Sequence, residues 1–269
     1  MNDIVKIALS EDIGTGDVSA NLLDDKIVSA QIIAREFAVI CGIEYAQTAF
    51  LTLDSDIQIK WYFQEGDTIQ AEQILGALSG SANGIISAER VALNFLQTLS
   101  AVATQTKFLV NKIAHTDAQL LDTRKTIPGL RLAQKQAVKC GGGINHRIGL
   151  YDAVMLKENH IIAAGSITQA VQVASNKYPN LPLIVEVEDL TQLAEALKLS
   201  GVTRVLCDNF TIADLTQAVK LANNILPLEA SGNIDETTIV AVAETGVDYI
   251  STGSITKNIQ AIDLSLRFT

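Results

Sequence analysis

The sequence predicts an α/β fold in two parts, a mixed sheet-and-helix domain over residues 1–99 and an incomplete α/β barrel over 100–269. Two observations carry the second part. Apolar, strand-like runs recur from Gln119 onward and end in polar residues, and amphipathic helical patterns with plausible caps separate several of them. A third observation joins the two parts. From about Ser87 the apolar residues Val91, Ala92, Phe95, Leu96, Leu99, Val102 and Ala103 fall at helical spacing, which predicts a long bridging helix.

Within the first part, residues 27–40 read as strand and 43–53 as helix. Residues 57–63 alternate, Gln64-Glu65-Gly66-Asp67 signals a turn, and 68–78 again read as strand. In the second part, strands are expected at 120–124, 153–159, 183–188, 204–209, 228–232 and 249–253, with a further candidate at 138–144. Helices are expected from Ser166, Asp189, Thr211 (with Asp214 three residues on) and Asp235, each a good capping residue. Buried strands that finish in Arg, Lys, Glu, Asp or Gly suit a barrel whose site lies at the strands' C-terminal rim. The strand count falls short of eight, so the barrel is expected to be open. Periodicity alone also allows an open doubly wound sheet.

Composition narrows the function classes. A 48% hydrophobic chain of 269 residues can bury a real core. Its longest apolar runs are too short to span a bilayer, and its first residues lack a signal-peptide pattern. Cys41, Cys140 and Cys207 stand far apart with no CxxC, which suits a reducing, cytoplasmic setting. The net charge of −10 argues against general nucleic-acid binding. Yet seven of the twenty Lys/Arg residues fall between Arg124 and Lys157 with a single acid, Asp152, among them. That is a candidate anion site; the alternative is a solvated basic face.

The rim positions carry the chemistry. Arg124 and Lys125 follow one strand, His146 and Arg147 follow a glycine-rich loop, and Lys157 ends the next strand. Arginine offers a planar fork for carboxylate or phosphate, and lysine a movable charge, so a substrate with several anionic groups is implied. Glu186 and Asp208, at the ends of the two following strands, could bind sugar hydroxyls, hold Mg2+ or stabilise developing positive charge. The turns Ser231-Gly232-Asn233 and Thr252-Gly253-Ser254 offer backbone N–H groups of the kind that cradle phosphate. Gly14-Thr15-Gly16-Asp17 is not a dinucleotide fingerprint, and Gly141-Gly142-Gly143 lacks the Lys-Ser/Thr of a P-loop. His115 and Cys207 read as structural.

The segment from Asp122 through Thr123-Arg124-Lys125-Thr126-Ile127-Pro128-Gly129-Leu130 to Arg131, with Lys135 to Val138 and His146-Arg147, resembles the quinolinate phosphoribosyltransferases. So do Met155-Leu156-Lys157-Glu158-Asn159-His160, the Glu186 strand, Cys207-Asp208-Asn209 and Glu229-Ala230-Ser231-Gly232-Asn233. The segment Glu11 to Asp17 and the pair Glu89-Arg90 belong to the same pattern. The resemblance covers nearly the whole chain. It implies an N-terminal α/β sandwich, an open barrel of the type II phosphoribosyltransferase kind, and a homodimer. It further implies that Arg90 reaches across from the partner subunit to bind quinolinate with Thr123, Arg124, His146, Arg147 and Lys157. Lys125 would then meet the pyrophosphate of 5-phosphoribosyl 1-pyrophosphate, with Lys125, Lys157, Glu186 and Asp208 as the catalytic set. Glu186 and Asp208 would also serve the ribose and Mg2+, and the turns 231–233 and 252–254 the 5-phosphate. Ile255-Thr256-Lys257-Asn258 stands where the family usually carries a histidine.

The expected reaction is transfer of the phosphoribosyl group to quinolinate with loss of CO2, giving nicotinate mononucleotide and pyrophosphate for NAD synthesis. Two rival readings remain: an aldolase using Lys157 as a Schiff base, and a sensor that binds phosphorylated sugars without turnover. A phosphoribosyltransferase for a different acid is the nearest variant.

Overall fold

A computed structural model describes residues 2–22 and 24–269. In chain order it runs through α1 (Asn2–Ile13), β1 (Ile27–Ala34), β2 (Ala38–Val39), α2 (Ile43–Leu53) and β3 (Gln58–Trp61). Next come β4 (Thr68–Ile69), β5 (Ile74–Ser81), α3 (Ala82–Lys112), β6 (Gln119–Leu121), α4 (Arg131–Cys140) and β7 (Val154–Leu156). There follow α5 (Glu158–Ala164), α6 (Ile167–Lys177), β8 (Leu183–Val187), α7 (Leu190–Ala196) and β9 (Arg204–Asp208). The chain ends with α8 (Ile212–Ala222), β10 (Leu228–Ser231), α9 (Ile239–Ala243), β11 (Tyr249–Ser251), α10 (Ser254–Lys257) and β12 (Leu264–Phe268).

The chain forms two compact units, neither of them continuous in sequence. The first takes residues 1–107, 127–142 and 258–269, and the second takes 108–126 and 143–257. In the first, an antiparallel sheet has the order β12-β1-β5-β3, and β2 pairs with β4 beside it. β1 buries every second residue, Ala30, Ile32 and Ala34, as a strand with one covered face should. The two long strand readings are interrupted. Residues 27–40 break into β1 and β2. Residues 68–78 break at Glu72, which turns through φ 67° and gives its N–H to Ala34 O at 2.8 Å.

α3 is the spine of this unit. Its buried stripe includes Ile85, Ala88, Val91, Ala92, Leu96 and Leu99. The corner between β2 and α2 docks on it through hydroxyls: Thr104 accepts the Val39 N–H at 2.8 Å and Ser100 the Cys41 N–H at 3.0 Å. Gly42 closes that corner at φ 106°, where an added Cβ would lie 3.1 Å from Phe95 O.

The second unit is built on a six-stranded parallel sheet in the order β6-β11-β10-β9-β8-β7. These are the six strands expected from the sequence. From β7 each strand lies beside its successor up to β11, and β6, the first strand, lies beside β11, the last. That order is a ring with one pairing missing, between β6 and β7. In a doubly wound sheet the first strand would lie inside and the order would reverse about it, so the open-barrel expectation holds. The Ser166, Asp189 and Thr211 side chains cap α6, α7 and α8 as expected. At Asp235 the carboxylate caps a turn first, and α9 begins four residues later.

The candidate strand at 138–144 is not one. Residues 131–140 form α4, whose Ala133, Ala137 and Val138 are buried at helical spacing, and only Ile144 makes a β-bridge, to Leu121. Among the described residues, no helix is long and apolar enough to cross a membrane.

Candidate active site

Parallel strands direct their alternate side chains to one face and expose their last residues at one rim. In the second unit that rim encloses a cavity of about 590 Å3, and each of the six strands or the loop just after it contributes to the wall. β6 delivers Thr123, Arg124 and Lys125, and β7 delivers Met155 and Lys157. β8 adds Glu186, β9 adds Leu206, Asp208 and Asn209, β10 runs from Glu229 to Asn233 through Ser231 and Gly232, and β11 adds Ser251. The loop after Gly143 supplies His146 and Arg147.

That loop is tied down by two carboxylates. Asp122, fully buried at the end of β6, accepts the His146 N–H at 2.8 Å. Asp152 accepts the N–H groups of Ile148 at 2.7 Å and Gly149 at 2.9 Å. Burial and the nearby Arg124 guanidinium lower the Arg147 pKa, opposed by Asp152 and Glu186. An arginine nonetheless stays charged at neutral pH. Two arginines that repel one another in a half-buried wall are stabilised together by an anion between them. Lys157 pairs with Glu186 at the ends of the neighbouring strands β7 and β8.

The floor holds a buried charge relay of position rather than of protons. Glu229 is fully buried, with Arg204 Nε 3.0 Å from Oε2 and His146 Nε2 3.4 Å from Oε1. His146 Nδ1 accepts the Arg147 N–H at 2.7 Å, which assigns the ring proton to Nε2, facing Glu229. Burial pushes the Glu229 carboxyl up, but His146, Arg204 and Ser251 outweigh it and hold it below its ordinary 4.5.

After β10 the backbone makes a tight turn. Gly232 takes φ 97°, and a Cβ there would lie 2.2 Å from Asn209 Oδ1. Asn209, itself left-handed at φ 56°, gives its N–H to Ser231 O at 2.9 Å and receives the Asn233 amide at 3.2 Å. Glycine is needed here. The second predicted turn behaves differently. The Thr252 hydroxyl donates to Ile234 O at 2.7 Å and lies 2.9 Å from Ser254 Oγ, while Gly253 packs beside Lys125 and Thr123.

The comparisons bear on this arrangement. The sequence model for the quinolinate phosphoribosyl transferase N-terminal domain matches residues 15–100, and the one for the C-terminal domain of the same family matches 102–267. The chain belongs to the quinolinate phosphoribosyl transferase family. It is 40% identical, over 98% of its length and 81% of the relative's, to the chloroplastic nicotinate-nucleotide pyrophosphorylase (carboxylating) of Arabidopsis thaliana. It is also 40% identical to a probable nicotinate-nucleotide pyrophosphorylase (carboxylating) of Synechocystis, covering 96% of this chain and 89% of that one. The solved nicotinate-nucleotide pyrophosphorylase of Francisella tularensis superposes with a TM-score of 0.97 at 47% identity, covering 100% of this chain and 97% of that one.

As a quinolinate phosphoribosyl transferase family member, the chain can be compared residue by residue with its expected site. Eleven expected residues line one cavity: Thr123, Arg124, Lys125, His146, Arg147, Lys157, Glu186, Asp208, Ser231, Gly232 and Asn233. Arg90 does not line it; it lies exposed on α3 in the first unit. Thr252, Gly253 and Ser254 do not line it either, whereas the preceding Ser251 does. Met155, Leu206 and Asn209 line the cavity without having been singled out for a role. Glu229 was seen only as part of a family motif, because one acid in an apolar strand leaves no periodic trace.

The donors expected for Mg2+ suit a hard cation. One oxygen of Glu186 pairs with Lys157 and one oxygen of Asp208 accepts from Asn209 at 2.9 Å. The other oxygen of each has no protein partner among the described residues. Mg2+ is usually held by one or two carboxylates plus substrate phosphates, and this pair fits that pattern.

Proposed function

We propose that this chain transfers the 5-phosphoribosyl group of 5-phosphoribosyl 1-pyrophosphate to quinolinate with decarboxylation, the first pyridine-nucleotide step of NAD synthesis. The observation that carries the reading is the cavity wall: Arg124, Lys125, Arg147 and Lys157 gathered with Glu186 and Asp208, in a chain of this family. Four cations suit a dicarboxylate beside a phosphorylated sugar, which has more anionic groups to hold than a Schiff-base aldolase with one reactive lysine would require.

In this reading Arg124, Arg147 and Lys157 clamp the two carboxylates of quinolinate, with Thr123 and His146 completing the pocket. Lys125 meets the pyrophosphate, and the Ser231-Gly232-Asn233 turn presents its backbone to the 5-phosphate, backed by residues 252–254. The ring nitrogen forms a bond to the anomeric carbon as the bond to pyrophosphate breaks. Glu186 and Asp208 stabilise the positive charge that develops on the ribose. The resulting pyridinium then accepts the electron pair as the 2-carboxylate leaves as CO2, and the ring carbon takes up a proton. Mg2+, held by Glu186 and Asp208, would neutralise charge on the departing pyrophosphate. Arg90, exposed on α3, completes the quinolinate pocket of a partner subunit in a homodimer, and the three free thiols suit a cytoplasmic setting.

The test is to mix purified protein, quinolinate, 5-phosphoribosyl 1-pyrophosphate and Mg2+ and to follow CO2 and pyrophosphate together. Equal amounts of both are expected, with little product when nicotinate replaces quinolinate. Pyrophosphate release with nicotinate as fast as with quinolinate would assign a different acid.

A further inference from the structure

Cys41, Glu65 and Cys140 come together in the first unit, and nothing in the proposed reaction uses them. Their donor atoms all lie within 4.8 Å of one another, and no other set of three metal-capable side chains among the described residues is so placed. Three separate segments supply them. Cys41 is buried at the corner between β2 and α2, Glu65 sits in the turn between β3 and β4, and half-buried Cys140 is the last residue of α4.

The scaffold is locked before any ligand arrives. Gly66 N–H donates to Ile40 O at 2.8 Å and Ile40 N–H to Asp67 O at 2.8 Å, fastening the Glu65 turn to the Cys41 corner. The Glu65 carboxylate is oriented by N–H groups at the start of α2, from Gly42 at 3.0 Å and Ile43 at 2.8 Å. Its Oε2 lies 3.9 Å from Cys140 Sγ, and Gln136 Nε2 stands 3.9 Å from the same sulfur. Such backbone and amide partners orient the ligands of metal sites.

We propose that Cys41, Glu65 and Cys140 bind a thiophilic divalent cation of the zinc class, with water in the fourth position. Tetrahedral zinc with sulfur at ~2.3 Å and oxygen at ~2.0–2.2 Å places its ligands roughly 3.5–3.8 Å apart, so the cluster needs only a small contraction. A divalent ion bound between them would make the thiolate the stable form of each coordinating cysteine. Two thiolates favour zinc over magnesium, so the site is chemically distinct from the Glu186–Asp208 pair.

The test uses the full chain, stripped of metal by a chelator under a phosphine reductant and titrated with Co2+ and then Zn2+. One cobalt per chain with thiolate-to-cobalt charge-transfer absorption is expected, and zinc should displace it and raise the Tm. Cys140→Ser and Glu65→Gln, both away from the innermost core, should each weaken binding at least about tenfold, while Cys207 remains as an internal control. Absence of the charge-transfer band, or a band that survives in Cys140→Ser, would overturn the proposal. So would loss of two hydrogens on peroxide treatment, marking a Cys41–Cys140 disulfide, in a protein that takes up no metal.

Discussion

Glu229 occupies a position where the buried run of β10 leads one to expect an apolar residue, and its full burial makes it a consequential single charge in the second unit. Breaking a buried charge pair by removing one partner strands the other, at a typical cost of 3–5 kcal/mol. Glu229→Gln keeps the shape and removes the charge facing His146 and Arg204, so a loss of about 3 kcal/mol in denaturant melts is expected at neutral pH. Because Glu229 is held below its ordinary 4.5 in the folded protein, its charge stabilises fully above that pH. The contribution fades as pH falls through the lowered value, so the gap between wild type and variant should close in acid. A gap that stays constant down the acid range would contradict the assignment. The sequence could not show this residue's role, since both its partners, His146 and Arg204, lie far away in the chain.

At the scale of elements, the parallel strands were the most legible part. Largely buried, they read as apolar runs, and each ends in or runs directly into a polar residue because the rim begins there. α4 was misread because its buried face includes Gln134 and Lys135 beside Ala133, Ala137 and Val138, which blurs the apolar spacing, and its apolar end merges with the glycine run toward Ile144. β12 passed unseen, since a single strand that pairs with distant β1 carries no local turn signal. The turn after β10 was read as a phosphate cradle, and its geometry explains why glycine stands at its centre. Gly232→Ala meets both a left-handed φ and Asn209 at 2.2 Å, so a stability loss of about 2 kcal/mol is expected, measured by melting. The KM for 5-phosphoribosyl 1-pyrophosphate should rise more than that for quinolinate, and a rise confined to quinolinate would remove the turn from the sugar-phosphate site.

For the whole molecule, the composition limited the possibilities and the rim defined them. A chain with net charge −10 places seven cations between Arg124 and Lys157. Folding brings four of them, Arg124, Lys125, Arg147 and Lys157, to a single cavity, while Arg131, Lys135 and Lys139 lie on α4 in the first unit. The sequence could locate the cations at strand ends, but their convergence needed the strand order. Arg90 tests the dimer. If it serves the partner's site, inactive Arg90→Ala and Lys157→Ala subunits mixed and re-associated should recover about a quarter of wild-type activity, one intact site in each mixed pair. No recovery in verified mixed dimers would return Arg90 to its own chain. The central claim is that the Arg124, Arg147 and Lys157 side chains read a doubly acidic ring, and steady-state kinetics of Arg147→Ala test it most directly. Losing one charged contact to a carboxylate should raise the quinolinate KM about 100-fold while moving the 5-phosphoribosyl 1-pyrophosphate KM less than about threefold. An equal rise in both would contradict it.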